Sequence, residues 1–150
     1  MYTQSRWIAT DAPLARCYDD CFFISDLTGW AINGAGQVSR TDDGARNWNP
    51  QETLPSYLRC IGMADENVGW IGCTSSRDLM YMMYMTTDGG VSWNPIPNLP
   101  RTYRSVTNAD AGANICSLHV LGENCIFASG SNSPEFPALF QAWVEAQEDT

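Results

Sequence analysis

Two carboxylates, Asp43 and Asp88, stand 45 residues apart in nearly the same surroundings: Thr41-Asp42-Asp43-Gly44-Ala45-Arg46-Asn47-Trp48-Asn49-Pro50 and Thr86-Thr87-Asp88-Gly89-Gly90-Val91-Ser92-Trp93-Asn94-Pro95. A pair of carboxylates is equipment for general acid–base chemistry. Side chains that recur at one place in successive copies of a unit, however, belong to the construction of that unit rather than to a single active site. Each position has such a constructional reason. Asp accepts hydrogen bonds from the amides of its own turn, and Thr or Ser adds a second local bond. Gly supplies the positive φ of a tight hairpin, and Trp opens the next strand with a large apolar face to bury. The structural set is therefore Thr41, Asp43, Gly44 and Trp48 in the first copy, and Thr86, Asp88, Gly90, Ser92 and Trp93 in the second. The second copy is complete. The first is degenerate, with Ala45 and Asn47 where the second has Gly90 and Ser92. No catalytic residue is assigned.

The remaining reactive side chains are fewer. His119 is the single histidine and lies in an apolar strand-like run, so it is expected to be an ordinary strand residue. The six cysteines, Cys17, Cys21, Cys60, Cys73, Cys116 and Cys125, mostly sit beside Phe, Ile or Leu and are expected to be free, buried thiols. The Cys17-x-x-x-Cys21 pair has no second pair at metal spacing, so no metal site is assigned, and no cofactor is expected. The arginines recur: Arg59 and Arg104 each follow a Trp of the repeated element by eleven residues, and Arg16 follows Trp7 by nine. Such spacing aligns Arg16, Arg59 and Arg104 on one face as a candidate patch for an acidic partner or a carboxylate terminus.

Charge and hydropathy narrow the partners. With 17 acidic residues against 8 arginines and no lysine, the net charge of −9 repels a phosphate backbone, which argues against nucleic acid. The longest apolar run, Leu79 to Met85, is seven residues, well short of the roughly 20 that a membrane-spanning helix needs. No membrane insertion is expected, and the first 25 residues lack the basic start and unbroken apolar stretch of a signal peptide. The residues point to no particular compartment.

The elements that must hold these side chains form a repeat. Upstream of each Asp element lies a Gly-Trp element, Asp26-Leu27-Thr28-Gly29-Trp30 and then Asp65-Glu66-Asn67-Val68-Gly69-Trp70. Cys116 to Phe127 parallels Cys60 to Trp70 with one residue inserted, Phe127 taking the Trp place. Each unit reads as four short strands separated by turn residues. In the first unit these are 21–25, 30–33, 37–41 and 47–51, and in the second 58–63, 70–73, 79–86 and 91–96. The third gives 115–120 and 125–129. The division is thus 1–16, the closing strand of a preceding unit (with Trp7) and a linker; 17–57, the first unit; 58–98, the second; 99–114, a long loop; 115–134, a partial third; and 135–150, a tail. Apolar spacing and Pro137 predict a short amphipathic helix in that tail. Trp7, Trp30, Trp48, Trp70, Trp93 and Phe127, recurring at matching places, are expected to pack cores rather than stack on sugars.

The Gly-Trp element followed by Thr-x-Asp-Gly and a closing Trp resembles the Asp-box (BNR) repeat families, and most closely their photosystem II assembly and stability factor type. The resemblance covers residues 17 to about 130. It implies an all-β fold, a partial β-propeller of four-stranded antiparallel blades with two full blades and a fragment, and a non-enzymatic scaffold that binds a protein partner. A closed ring needs at least four blades. Both ends of the chain are out of phase with its repeat, so it reads as a piece of a longer member of this type. Self-association to complete a ring and an open stack capped by the tail helix are the alternatives. The alternative within the same superfamily is a piece of a sialidase-like or other glycoside hydrolase. That chemistry requires an arginine cluster, a tyrosine nucleophile and an acidic partner. Of the candidate tyrosines Tyr57, Tyr81 and Tyr84, the last two lie inside the apolar run.

Overall fold

The turn residues of the repeat cut the chain into short extended segments, and the structure, a computed structural model, pairs each with the next. It describes residues 7–15, 17–76, 81–97, 99, 114–133 and 136–143. Strands β1 (Tyr18–Phe23), β2 (Gly29–Asn33), β3 (Gln37–Thr41) and β4 (Asn49–Thr53) form one antiparallel sheet in that order. The second sheet runs β5 (Ser56–Met63), β6 (Gly69–Ser76), β7 (Met83–Thr86) and β8 (Asn94–Pro95). The third holds β9 (Asn114–Gly122), β10 (Cys125–Ser133) and β11 (Phe136–Trp143), with β11 at its edge. The fold is all-β, and the described residues contain no helix.

Register decides which side chains share a face. In the first sheet Phe22, Trp30 and Arg40 are cross-strand neighbours, while Cys21, Ala31 and Ser39 lie on the opposite face. In the second sheet Gly62, Trp70 and Met85 share one face, and Ile61, Ile71 and Tyr84 the other. Trp30, Ile32 and Val38 of the first sheet then pack with Ile61, Ile71, Tyr84 and Trp93 of the second. Trp70 and Met83 pack in turn with Ile126 of the third, beside a smaller cluster of Cys60, Ile115 and Ala128. Each sheet thus lays its Trp-bearing face on the opposite face of the next, which stacks the sheets in series. Trp30 and Trp70 are wholly buried. A ring of that size removes about 150–250 Å² from water, or about 4–6 kcal/mol at roughly 25 cal/mol per Å². Close approach to the third sheet requires missing side chains: a Cβ on Gly62 would meet Val120, and one on Gly72 would meet Ile115.

Several sequence expectations are corrected. The tail is not helical where it is described, because 136–143 forms β11 and pairs along the whole of β10, from Cys125 with Trp143 to Ser133 with Phe136. A short apolar run fits helix or strand equally well by periodicity, and the open edge of β10 decides in favour of strand. Residues 144–150 of that expected helix lie outside the described residues. The closing strand expected within 1–16 does not form over 7–15, where no strand lies beside it, and Trp7 is 98% exposed rather than packed in a core. Of the third strand expected at 79–86 in the second unit, Met83–Thr86 forms β7, Tyr81 and Met82 lie before it, and Leu79 and Met80 lie outside the described residues. Most of the long loop expected at 99–114 lies outside the described residues, and Asn114 already belongs to β9. The cysteines are free, but only Cys60 and Cys73 are buried; Cys21 and Cys116 are exposed, since their strand positions look away from the stacked faces.

Candidate functional site

Between β3 and β4 the chain must reverse within seven residues, and the Thr-x-Asp element supplies the bonds for that. Thr41 Oγ1 donates to Asp43 Oδ1 at 3.0 Å and accepts from the amide of Ala45 at 3.0 Å. Asp43 in turn accepts from the Asn47 amide at 2.9 Å and from its side-chain nitrogen at 2.6 Å. The second copy repeats this: Thr86 Oγ1 donates to Asp88 at 2.8 Å and accepts from Gly90 at 2.9 Å. Asp88 accepts from the Ser92 amide at 2.9 Å and the Ser92 hydroxyl at 2.6 Å. Asn47 therefore does what Ser92 does, and Ala45 takes the left-handed conformation, at φ 64°, that Gly90 takes at 91°. The substitutions that make the first copy look degenerate in sequence leave its geometry intact. These bonds hold both carboxylates ionised. The Ser92 side chain and amide, followed by Thr86, lower Asp88 to about 2, and the Asn47 side chain and amide depress Asp43.

The turn of the second unit is also fastened to the first sheet. Trp30 Nε1 donates to the Gly89 carbonyl at 2.9 Å, and Arg40 Nη1 reaches the same oxygen at 3.2 Å. Arg40 lies over the Trp30 ring, 5.0 Å from its centroid, and pairs with Asp42 at 2.9 Å. Two more bonds cross the same interface. The Trp93 amide donates to Glu52 at 2.8 Å, and the Ile61 amide donates to Asp20 at 3.0 Å. No sequence signal singled out Arg40, Glu52 or Asp20, because each acts between units while the repeat reveals only what recurs within them.

At β1 and β5 the structure gathers a polar cluster that the spacing rule touched only through Arg59. Asp19, with 6% of its side chain exposed, accepts Arg59 Nη1 at 2.6 Å and the Tyr57 hydroxyl at 3.4 Å. Cys17 stands 3.5 Å from that hydroxyl and donates to Asp19 at 3.4 Å. The Cys17 hydrogen bond, then burial, then the negative charge of Asp19 push Tyr57 up to about 12, the wrong direction for a phenolate nucleophile. Arg59 is held by its carboxylate partner with 48% of its side chain still open to solvent. It has further donors for an incoming anion. Arg16 and Arg104, the other two members of the expected patch, lie outside the described residues. Tyr84 is buried against Ser56 at 3.1 Å, and His119 is exposed on β9. Burial pushes Cys60 and Cys73 up to about 12, which keeps these thiols protonated and unreactive. Among the described residues no three His, Cys, Asp or Glu side chains converge as a metal site would require. No helix among them is long and apolar enough to cross a membrane.

No family model and no curated protein matches the chain. Eight solved chains do, among them one from the structure "YCF48 bound to D1 peptide", with a TM-score of 0.55 and 23% identity over 85% of this chain. That identity shows likeness of fold, and it places the stacked sheets with propeller-type structures. The chain spans 40% of the length of that YCF48 chain.

Proposed function

We propose that the chain is a non-enzymatic protein-binding scaffold of the Asp-box propeller type, in the manner of the photosystem assembly factors, and that it takes a peptide carboxylate at Arg59. The observation that carries the reading is the geometry of Arg59, anchored 2.6 Å from a nearly buried Asp19 with half its side chain left open. An arginine pre-oriented in this way loses little side-chain freedom on binding, and its planar fork matches a carboxylate. The likeness to a propeller solved with a peptide bound supports the class of ligand. The repeated Thr-x-Asp turns spend their carboxylates on their own backbone, so they support a structural rather than a catalytic role.

A net charge of −9 makes a broadly acidic partner unfavourable, so the contact is local, with a terminal carboxylate or one acidic side chain. The probe is a fluorescein-labelled D1 peptide, titrated by polarisation against the chain and against Arg59→Ala. The expected loss is about tenfold in Kd, which corresponds to one charge-assisted hydrogen bond of about 1.4 kcal/mol, with partial recovery in Arg59→Lys. Binding by Arg59→Ala as tight as by the parent, or no saturable binding by the parent, overturns the proposal.

A further inference from the structure

Arg59 has a neighbour that the carboxylate contact leaves unused. Tyr57 and Arg59 stand two residues apart on β5, and both donate to one oxygen, Asp19 Oδ1, the phenol at 3.4 Å and the guanidinium at 2.6 Å. The hydroxyl end of the Tyr57 ring also supports the turn between β2 and β3. A Cβ on Gly34 would stand 2.5 Å from Cε2 and Cζ of that ring, so only a glycine lets the turn lie so close. Beside this contact is a cavity of about 480 Å³ that opens to solvent among the described residues. It is lined by Gly34 and Ala35 of the turn, by Thr53 to Ser56 of the segment joining β4 to β5, and by Tyr57 itself.

Hydrogen bonds fix the shape of this cavity before anything enters it. Asn33 holds the turn, its Oδ1 accepting the amides of Ala35 at 3.0 Å and Gln37 at 3.1 Å. The joining segment is tied to the same turn by the Leu54 amide, which donates to the Gly36 carbonyl at 2.8 Å. Gly36, at φ 86°, has no Cβ to strike the Leu54 carbonyl. The Ser56 hydroxyl is already engaged with Tyr84 at 3.1 Å. No lining residue is charged. Ala35, Leu54, Pro55 and the Tyr57 ring give the cavity apolar wall, and Thr53 adds a hydroxyl-bearing side chain. An ionised side chain placed there would lose hydration without gaining a counter-charge.

We infer that Arg59 and this cavity are two subsites of one peptide site: Arg59 holds the terminal carboxylate, and the cavity receives the side chain of the third residue from that end, selecting an uncharged, mainly apolar one. The inference rests on the reading of Arg59 as the carboxylate contact. In an extended peptide alternate side chains fall on one side, about 7 Å apart. That is the spacing that Tyr57 and Arg59, themselves alternate residues of a strand, set for the two subsites. Tyr57 keeps them in register, because its hydroxyl is bonded to the carboxylate that anchors Arg59 while its ring bears on the wall of the cavity. The open half of Arg59 decides which end of the peptide lies there, and the uncharged cavity decides what stands two residues before it.

The test titrates fluorescein-labelled hexapeptides against the full chain by polarisation. The probes are Gly-Ser-Gly-Leu-Ala-Gly with a free carboxylate, the same peptide with alanine in place of leucine, the shifted Gly-Ser-Gly-Ala-Leu-Gly, and the first peptide with its carboxylate capped as an amide. The first is expected to bind about fivefold tighter than the alanine and shifted peptides, a fraction of the gain from a fully buried leucine because the cavity is open on one side. Ala35→Trp, which fills the cavity from an exposed position in the turn, should remove that preference. Arg59→Ala should weaken the leucine and alanine peptides by the same factor, and capping should weaken binding likewise. Equal affinities for leucine and alanine, both weakened by Arg59→Ala and by capping, overturn the cavity's role and leave the carboxylate reading standing. A leucine preference that survives Ala35→Trp, or that persists in the shifted peptide, overturns it too. Affinities indifferent to Arg59→Ala and to capping overturn the carboxylate reading, and this inference with it.

Discussion

Asp88→Ala isolates what the carboxylate of the second turn contributes. Three groups donate to that side chain: the Thr86 hydroxyl, the Ser92 amide and the Ser92 hydroxyl. They are not equal. Ser92 is exposed, so water replaces the carboxylate at its amide and hydroxyl, whereas Thr86 is wholly buried and its hydroxyl proton loses its acceptor. An exposed charge-assisted bond is worth little after screening. An orphaned buried hydroxyl costs about 1–3 kcal/mol, and loss of a comparable side-chain cap costs about 0.5–2. The expected loss is about 1.5 kcal/mol, which for a chain of this size lowers Tm by about 3–6 °C. Asp88→Asn keeps one acceptor oxygen and should fall between the two. The pH dependence gives a second readout. Because Asp88 is lowered from 3.8 to about 2 in the folded chain, its ionic contribution is fully present above the unfolded value and is lost as pH falls through the folded one. The gap between the parent and Asp88→Asn should therefore stay constant above about pH 5 and close between pH 4 and 2. Calorimetry at pH 7 and pH 3 measures both quantities. An Asp88→Ala protein that melts with the parent refutes this account of the turn, as does one that loses peptide binding while its Tm is unchanged.

Two other expectations concern the paired turns and the paired buried tryptophans. Gly90→Ala should destabilise by about 2 kcal/mol or more, since a side chain at positive φ costs about 1–2 kcal/mol and its Cβ would stand 2.9 Å from Trp30 Nε1. Ala45→Gly at the matching place should be neutral or raise stability by less than 1 kcal/mol, because relief of the left-handed strain is offset by the greater freedom of Gly in the unfolded chain. Paired denaturant melts separate these outcomes, and equal effects would break the equivalence of the two turns. Trp30→Phe and Trp70→Phe remove the same ring area from two wholly buried sites, but only Trp30 donates to a carbonyl of the next unit, while Trp70 Nε1 has no partner among the described residues. Urea melts should therefore show Trp30→Phe as the more damaging by about 1 kcal/mol, the net value of one hydrogen bond. Equal losses would mean that the bond to Gly89 contributes nothing.

The parts of this fold that could be read in the sequence were those built from local chemistry. The Thr-Asp-Gly turns, the Gly-Trp strand openings and the four-strand units need only neighbours within a few positions, so their residues carry a signature wherever the unit recurs. Even there the alignment slipped by one. The turn before β2 is capped by Ser25, which accepts the amides of Leu27 and Thr28, as Asp65 accepts those of Asn67 and Val68 before β6. Identity of residue had paired Asp26 with Asp65, but the bonds pair Ser25 with it, which makes the offset of this element a uniform 40. The tail failed for the opposite reason. Its spacing suits a helix, and only the edge of β10, whose residues pair with it at separations from three (Ser133 with Phe136) to eighteen (Cys125 with Trp143), makes it a strand. The Arg59 site was half legible. Its recurrence after Trp48 could be read from the spacing, but its partner Asp19 is 40 residues away on β1, and nothing in the spacing announces it.

The two copies of the turn differ in sequence without losing a bond, while the bonds between sheets leave less room. Within the first turn, Ala45 and Asn47 replace Gly and Ser with no bond lost, because the alternatives are chemically interchangeable in place: Asn47 donates as a serine would, and a small Cβ is accepted at a φ of 64°. Across the interface the tolerances are narrower. The Gly89 carbonyl accepts two donors from the first sheet, and a Cβ on Gly89 would press on Arg40 Nη1 at 2.5 Å and on the Glu66 carbonyl at 2.8 Å. In the second turn the neighbouring sheet touches both glycines, Gly89 through its carbonyl and Gly90 through Trp30 Nε1, 2.9 Å from where its Cβ would stand. The turn is at once a local reversal and the acceptor by which one sheet fixes the next. That double duty explains how sheets of four short strands, each exposing one apolar face, hold a fixed order without a covalent link between their faces.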